Sequence, residues 1–289
     1  MSEIIDNCAP GIDVESGSCY TNNQLKKMYK LLYKEKINID DSDSEIRKFL
    51  IEKINDKLKN ECDNEICWKY SKRIKKEITP NDFEELLYRH KAFGPTDNTW
   101  LSNFDITGVF KRYEQLYKDF IFLGSYPCDF DEITKYMFSE NYDYPKKIKK
   151  GINKYGLVLN TDDHTGSGKH WIAIYYDFNY TNDKNKDKKG LICYFNSSGS
   201  EPEKYFDEYI QRIITRMKSI NNQEPIYLIN KKVHQRSTSE CGVYSSVFII
   251  RNLEGEDPEY IMKNVIKDKY MMKFRQFMFL DNKKYNYEN

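Results

Sequence analysis

Residues 171–178 and 191–195 are two aromatic and β-branched runs separated by a polar stretch, 179–190, in which Tyr180 is the one apolar side chain. Runs of that composition bounded by Asn, Asp and Gly read as strands, and the polar stretch reads as an exposed hairpin loop. Closing the hairpin brings its open ends together, so His170, just before the first strand, meets Asn196, just after the second. A side-chain carbonyl beside an imidazole accepts its Nδ1–H, fixes the tautomer and leaves Nε2 facing outward as a base. That pair is the first candidate for chemistry.

The surrounding pattern sets the fold class. Residues 156–160 and 226–229 read as further strands, and 109–122, 202–220 and 242–253 as helices, which makes the region α+β with strands clustered in its middle. The N-terminal part differs. Residues 24–34 and 44–59 carry apolar side chains at helical spacing, Asp41 or Ser42 is a candidate N-cap, and Thr79-Pro80-Asn81-Asp82 opens a third short helix with Phe83, Leu86 and Leu87. Gly94-Pro95 breaks the chain. The expected division is a helical arm region over 1–92 and an α+β domain over 93–289, sizes that 289 residues accommodate.

Charge removes some partners. With 46 Lys and Arg against 45 Asp and Glu, the net charge of +1 offers no chain-wide attraction to polyphosphate or an anionic membrane. The Lys146-Lys147-Ile148-Lys149-Lys150 run reads as a solvated loop, so nucleic acid is not an expected partner. No apolar run approaches the roughly 20 residues that span a bilayer. The acidic start, Met1 to Asp6, lacks the features of a secretory signal, and a reducing, cytosol-like compartment is the default expectation.

Seven cysteines leave at least one thiol unpaired. Cys241 precedes Gly242 and an apolar helical run, which sets it at a helix N-terminus, where the helix dipole and a neighbouring imidazolium lower a thiol pKa from its free value of about 8.5. Gln235, six residues earlier in the polar loop 231–240, carries an amide able to join the Cys241 backbone N–H in holding an oxyanion. His164 and His234 stand in polar loops and read as solvated residues, and His90 as a surface residue. The pairs Cys8/Cys19 and Cys62/Cys67 lack tight Cys-x2-Cys spacing, so they read as small apolar packing residues in preference to zinc ligands or bridges. No metal or cofactor is expected.

Taken together, Gly168-Lys169-His170-Trp171, Tyr194-Phe195-Asn196-Ser197 and Gln235 through Cys241-Gly242 resemble the ubiquitin-like-protein protease and adenovirus-protease clan, most closely its large-DNA-virus members. The resemblance covers roughly residues 95 to 280 and implies a papain-like core, a central mixed sheet flanked by helices, preceded by the helical arm. It implies a cysteine endopeptidase that cuts after Gly-Gly in virion precursor polyproteins, working in the host cytoplasm and the virion. His170 would be the general base, Asn196 its orienter, Cys241 the nucleophile and Gln235 an oxyanion donor. Trp171 would roof a channel admitting only glycine, and Trp100, Leu101, Asn103 and Ile106 resemble the segment on which relatives lay the substrate strand. Many cellular members carry Asp where this chain has Asn196. An amide orients the ring without neutralising an imidazolium. Removal of a ubiquitin-like modifier, which also ends in Gly-Gly, is the alternative activity; an acyltransferase and a non-catalytic virion protein rank below it.

Overall fold

A computed structural model describes residues 17–35, 44–62, 65–69, 71–77 and 91–280. The helix expected from Thr79, the N-cap at Asp41 or Ser42, Cys8 and His90 lie outside the described residues. The chain divides into two compact units, the second spanning Gly94–Phe279 and the first formed by the residues on either side of it, Met1–Phe93 and Leu280–Asn289.

In the first unit, α1 (Asn22–Tyr33) starts at Thr21, whose hydroxyl accepts the Gln24 N–H while the Gln24 side chain accepts the Thr21 N–H. This reciprocal cap satisfies two of the N–H groups that every helix start leaves unpaired. Leu25, Met28 and Leu32 pack against Ile46, Leu50, Ile54 and Leu58 of α2 (Ser44–Leu58), with Tyr20, Trp68 and Ile74 completing the core. Two single-turn helices follow, α3 (Glu65–Trp68) and α4 (Lys72–Lys75). Cys62 and Cys67 are joined in a disulfide, which corrects their reading as packing residues. Their Cα atoms stand 5.3 Å apart, inside the span a disulfide bridges. Cys19 is disulfide-bonded as well.

The second unit is built on a five-stranded mixed sheet. In spatial order it runs β1 (Phe120–Tyr126), β2 (Lys154–Asn160), β3 (Trp171–Asp177), β4 (Leu191–Phe195) and β5 (Ile226–Ile229). The outer pairs are parallel and the two inner ones antiparallel. The predicted hairpin is present, with Ala173 opposite Phe195 and Asp177 opposite Leu191.

One expectation needs correction. Residues 109–122 do not form one helix: α5 (Asn103–Leu116) ends where Tyr117 turns extended, at φ −103° and ψ 95°, and Phe120 opens β1. A short apolar run reads equally well as helix or strand, and here the parallel pairing of Phe120 and Ile121 with Lys154 and Tyr155 decides it.

Two helices sandwich the sheet. On one face α8 (Lys204–Asn221) sets Phe206, Tyr209, Ile210, Ile213 and Met217 among Leu157, Ile172, Ile174, Tyr176, Ile192 and Tyr194. On the other lies α9 (Cys241–Leu253), buried on nearly every side, with Phe248 stacked on Phe195 at a centroid distance of 4.5 Å. Gly156 lets α9 approach, since a Cβ there would stand 3.1 Å from Ile249 Cγ2. The short helices α6 (Phe130–Ile133), α7 (Tyr144–Lys149) and α10 (Pro258–Lys263) and the longer α11 (Asp268–Met278) complete the unit. Among the described residues no helix is long and apolar enough to cross a membrane.

The α9–sheet contact predicts a large packing cost. Phe248→Ala is expected to lower unfolding stability by about 3–5 kcal/mol in chemical denaturation; a loss below about 1 kcal/mol would mean that the helix does not depend on this stack.

Candidate active site

The hairpin delivers its two ends as the sequence suggested. His170 and Asn196 lie one diagonal step beyond the last ladder pair, and the ring donates from Nε2 to Asn196 Oδ1 at 2.9 Å. The nitrogen differs from the one expected. With Nε2 engaged by the amide, Nδ1 is the nitrogen left for chemistry, a reversal of the predicted tautomer.

Asn196 is held in that orientation by its own turn. Ser198 gives Oδ1 its backbone N–H at 3.0 Å and its hydroxyl at 2.7 Å, so this atom must be the amide oxygen. The amide nitrogen faces the Tyr194 hydroxyl at 3.4 Å, and Asn230 ties down the Asn196 carbonyl at 2.6 Å. The turn closes with the Gly199 N–H on the Asn196 carbonyl at 2.8 Å.

Cys241 is the first residue of α9, on the far side of β3 from α8. The backbone N–H groups of Trp171, Gly242 and Cys241 itself point at the sulfur, which places the thiol beside the residue that follows His170. The Ser245 hydroxyl donates to the Trp171 carbonyl at 3.1 Å and fastens this turn of α9 to the start of the strand.

Burial dominates the electrostatics. It pushes the Cys241 thiol above the ordinary cysteine range, with Glu240 adding to the rise and the three N–H groups opposing it. It pulls the His170 imidazole down, against smaller upward effects from the Asn196 bond and the Glu203 carboxylate. Both shifts disfavour the charged forms, and for the thiol the direction is opposite to the lowering expected at a helix start, because loss of solvent outweighs the nearby N–H groups.

Gln235 is placed by Ser197, whose hydroxyl donates to its Oε1 at 2.8 Å and whose carbonyl accepts the His234 and Gln235 N–H groups. The Gln235 amide nitrogen donates to Ser237 O at 2.8 Å and keeps a second proton for another acceptor. His234 is not a solvated loop residue. It is buried against Phe195 and Tyr244, and its Nε2 donates to the Met262 carbonyl at 3.0 Å. His164 is exposed as expected, with Nδ1 on the Asp129 carboxylate.

The aromatic segment converges on the same place. Trp171 donates its indole N–H to the Leu101 carbonyl at 2.8 Å, and Leu101 is buried. A Cβ on Gly242 would lie 3.1 Å from Leu101 Cδ1 and 3.3 Å from Trp171 Cδ1, so these three residues close around the thiol's helix turn. Trp100 remains 53% exposed, and Asn103 is exposed in the first turn of α5. Phe104, which the sequence did not single out, is 80% exposed beside them. Ile106 belongs to the core. Ser102 fixes the segment with a reciprocal cap: its hydroxyl accepts the Asp105 N–H while the Asp105 carboxylate accepts the Ser102 N–H at 2.7 Å.

Cys128 and Cys193 are also free, so Cys241 is one of three free thiols among the described residues. The same residues contain no group of three or more His, Cys, Asp and Glu placed to hold a metal ion.

A mixed sheet with an imidazole at one strand start, an amide at the next strand end and a thiol on the helix packed across them is the layout of a cysteine peptidase. Known proteins carry the same stamp. A profile of the Ulp1 protease family, C-terminal catalytic domain, matches residues 157–288. A protein named as a thiol protease from Acanthamoeba polyphaga mimivirus is 31% identical over 89% of this chain and 87% of its own length. A SUMO-1 cysteine protease of African swine fever virus is 31% identical over 75% of this chain and 83% of its own. The crystal structure of an African swine fever virus protease superposes with a TM-score of 0.67 at 29% identity, covering 85% of this chain and 94% of that one. The chain belongs to the Ulp1 family of cysteine proteases.

The direction of the His170 shift is open to titration. Nuclear magnetic resonance of His170 is expected to give a pKa below the unperturbed value of about 6.5. In Asn196→Asp, a carboxylate facing Nε2 favours the imidazolium, so the midpoint moves upward. A wild-type midpoint above the unperturbed value, or a downward shift in the variant, would contradict the electrostatic account.

Proposed function

We propose that this peptidase is an endopeptidase cleaving after Gly-Gly in viral precursor polyproteins during virion maturation, with Cys241 as nucleophile, His170 as general base, Asn196 as its orienter and Gln235 as oxyanion donor. The observation that carries the assignment is the His170–Asn196 bond, which engages Nε2 and leaves Nδ1 as the base of the residue preceding Trp171, whose backbone N–H acts on the Cys241 thiol.

The reaction follows from those atoms. As Cys241 Sγ attacks the glycyl carbonyl carbon, its proton passes to His170 Nδ1. The carbonyl oxygen becomes an oxyanion held by the Cys241 backbone N–H and the spare Gln235 amide proton. The Nδ1 proton then leaves with the departing amine, giving a thioester. Water attacks the thioester with Nδ1 again accepting a proton, and the thiol is restored. The imidazolium exists only within these steps, in line with an amide partner that brings no charge.

Preference for glycine is supported by the crowding around Gly242, where Leu101 and Trp171 leave little room beside the nucleophile. The exposed Trp100 and Asn103 are the surface on which an extended substrate would lie. Relatives encoded by large DNA viruses support the viral setting, at assembly sites in the host cytoplasm and in the virion. A second reading, removal of a ubiquitin-like modifier, is favoured by the SUMO-1 protease name of one relative.

Cys241→Ala is expected to abolish cleavage of a Gly-Gly-Xaa peptide, and Gln235→Ala to lower kcat by about 100- to 1000-fold. Retained cleavage in Cys241→Ala would refute the nucleophile. Faster turnover of a SUMO fusion than of a precursor with an internal Gly-Gly-Xaa would favour the second reading.

A further inference from the structure

Glu240, the residue before Cys241, is 1% exposed, and Arg275 of α11 is 0% exposed. The guanidinium grips the carboxylate with two bonds, Nε to Oε2 at 3.0 Å and Nη2 to Oε1 at 3.1 Å. Its remaining protons go elsewhere. Nη2 also donates to Ser239 O at 3.1 Å, while Nη1 donates to Thr99 O at 2.8 Å and reaches Pro95 O at 3.4 Å. One planar cation thus joins two segments far apart in sequence. The first is Ser239–Glu240, which leads into the thiol; the second is Pro95–Thr99, which leads into Trp100 and Leu101.

Two further facts fit a positioning task. Glu240 occupies the N-cap of α9 yet makes no side-chain cap bond, because Arg275 draws its carboxylate away from the helix start. The N–H groups of the first turn are left for a developing oxyanion. The helix that carries Arg275, α11, also holds the Gln235 loop: the Asp268 carboxylate accepts the Arg236 and Ser237 N–H groups at 3.2 and 3.0 Å. A buried ion pair is weak evidence for stability, since apolar replacements of similar volume often fold as well or better. Its geometry is what needs a reason.

We propose that Arg275 is a positioning residue that, through Glu240, locks the Pro95–Thr99 lead-in of the substrate platform to the helix start bearing Cys241, so that platform and nucleophile keep one spacing. This rests on the peptidase reading above. A lysine in its place can pair with Glu240 but has no fork to span the Thr99 carbonyl as well.

The test uses the full chain in two forms, Arg275→Lys and the double variant Glu240→Met/Arg275→Met, with kcat, KM and thermal midpoint measured on a Gly-Gly-Xaa peptide. Both are expected to melt at or above the assay range and to lose about 10- to 100-fold in kcat/KM, most of it as a higher KM, because substrate binding depends on the platform. A purely structural role would lower the folded fraction, which reduces apparent kcat and leaves KM alone. Wild-type KM within twofold in a folded double variant would overturn the proposal. If the double variant fails to fold, Arg275→Lys decides by the same split, and an unfolded Arg275→Lys as well would assign the pair to stability and overturn it. Failure of the wild type to cut the peptide strikes the substrate reading alone, and the split is then read on a ubiquitin-like fusion.

Discussion

The packing of the apolar helix α9 across the central strand β3 is the constraint on which the site depends. Cys241 begins that helix and His170 immediately precedes that strand, so the contact between the two elements sets the distance between thiol and ring. Gly156 permits the approach, the Phe248–Phe195 stack sets its depth, and the Ser245–Trp171 bond sets its register along the strand. Nothing in the loop that carries Gln235 could place the nucleophile if this interface shifted by an ångström.

Removing water from that interface has an electrostatic consequence. The half-buried imidazole, oriented by an uncharged amide, is pulled down, and the buried thiol at the helix start is pushed up, so desolvation works against charge on both groups. Backbone N–H groups at the helix start oppose the rise of the thiol, and the Gln235 amide keeps one proton for a further acceptor. The Glu240 carboxylate, the one acidic group beside the thiol that raises it, is compensated by Arg275. Orientation replaces full charge throughout the site.

Much of this was legible in the chain itself. The hairpin followed from two apolar runs around a polar loop, and with it the meeting of His170 and Asn196. Cys241 and Gln235 were readable from a helix onset and a polar loop. What escaped was of two kinds. The strand at Phe120–Tyr126 was hidden because a short apolar run has no decisive period, and its parallel partner lies outside any local window. The burial of His234, the choice of Nε2 over Nδ1 and the Glu240–Arg275 pair depend on which elements fold together, and Arg275 lies 35 residues from its carboxylate partner. The Cys62–Cys67 bridge depends likewise on how close the backbone brings the two cysteines, which their spacing alone does not fix.

Of the three free thiols among the described residues, Cys241 is expected to be the reactive centre, addressed by a substrate ending in Gly-Gly. An activity probe carrying a Gly-Gly vinyl sulfone, incubated with the full chain and mapped by peptide mass spectrometry, tests it most directly. The account predicts a single adduct at Cys241 that is lost in His170→Ala. An adduct at Cys128 or Cys193, or undiminished labelling of Cys241 without His170, would contradict it.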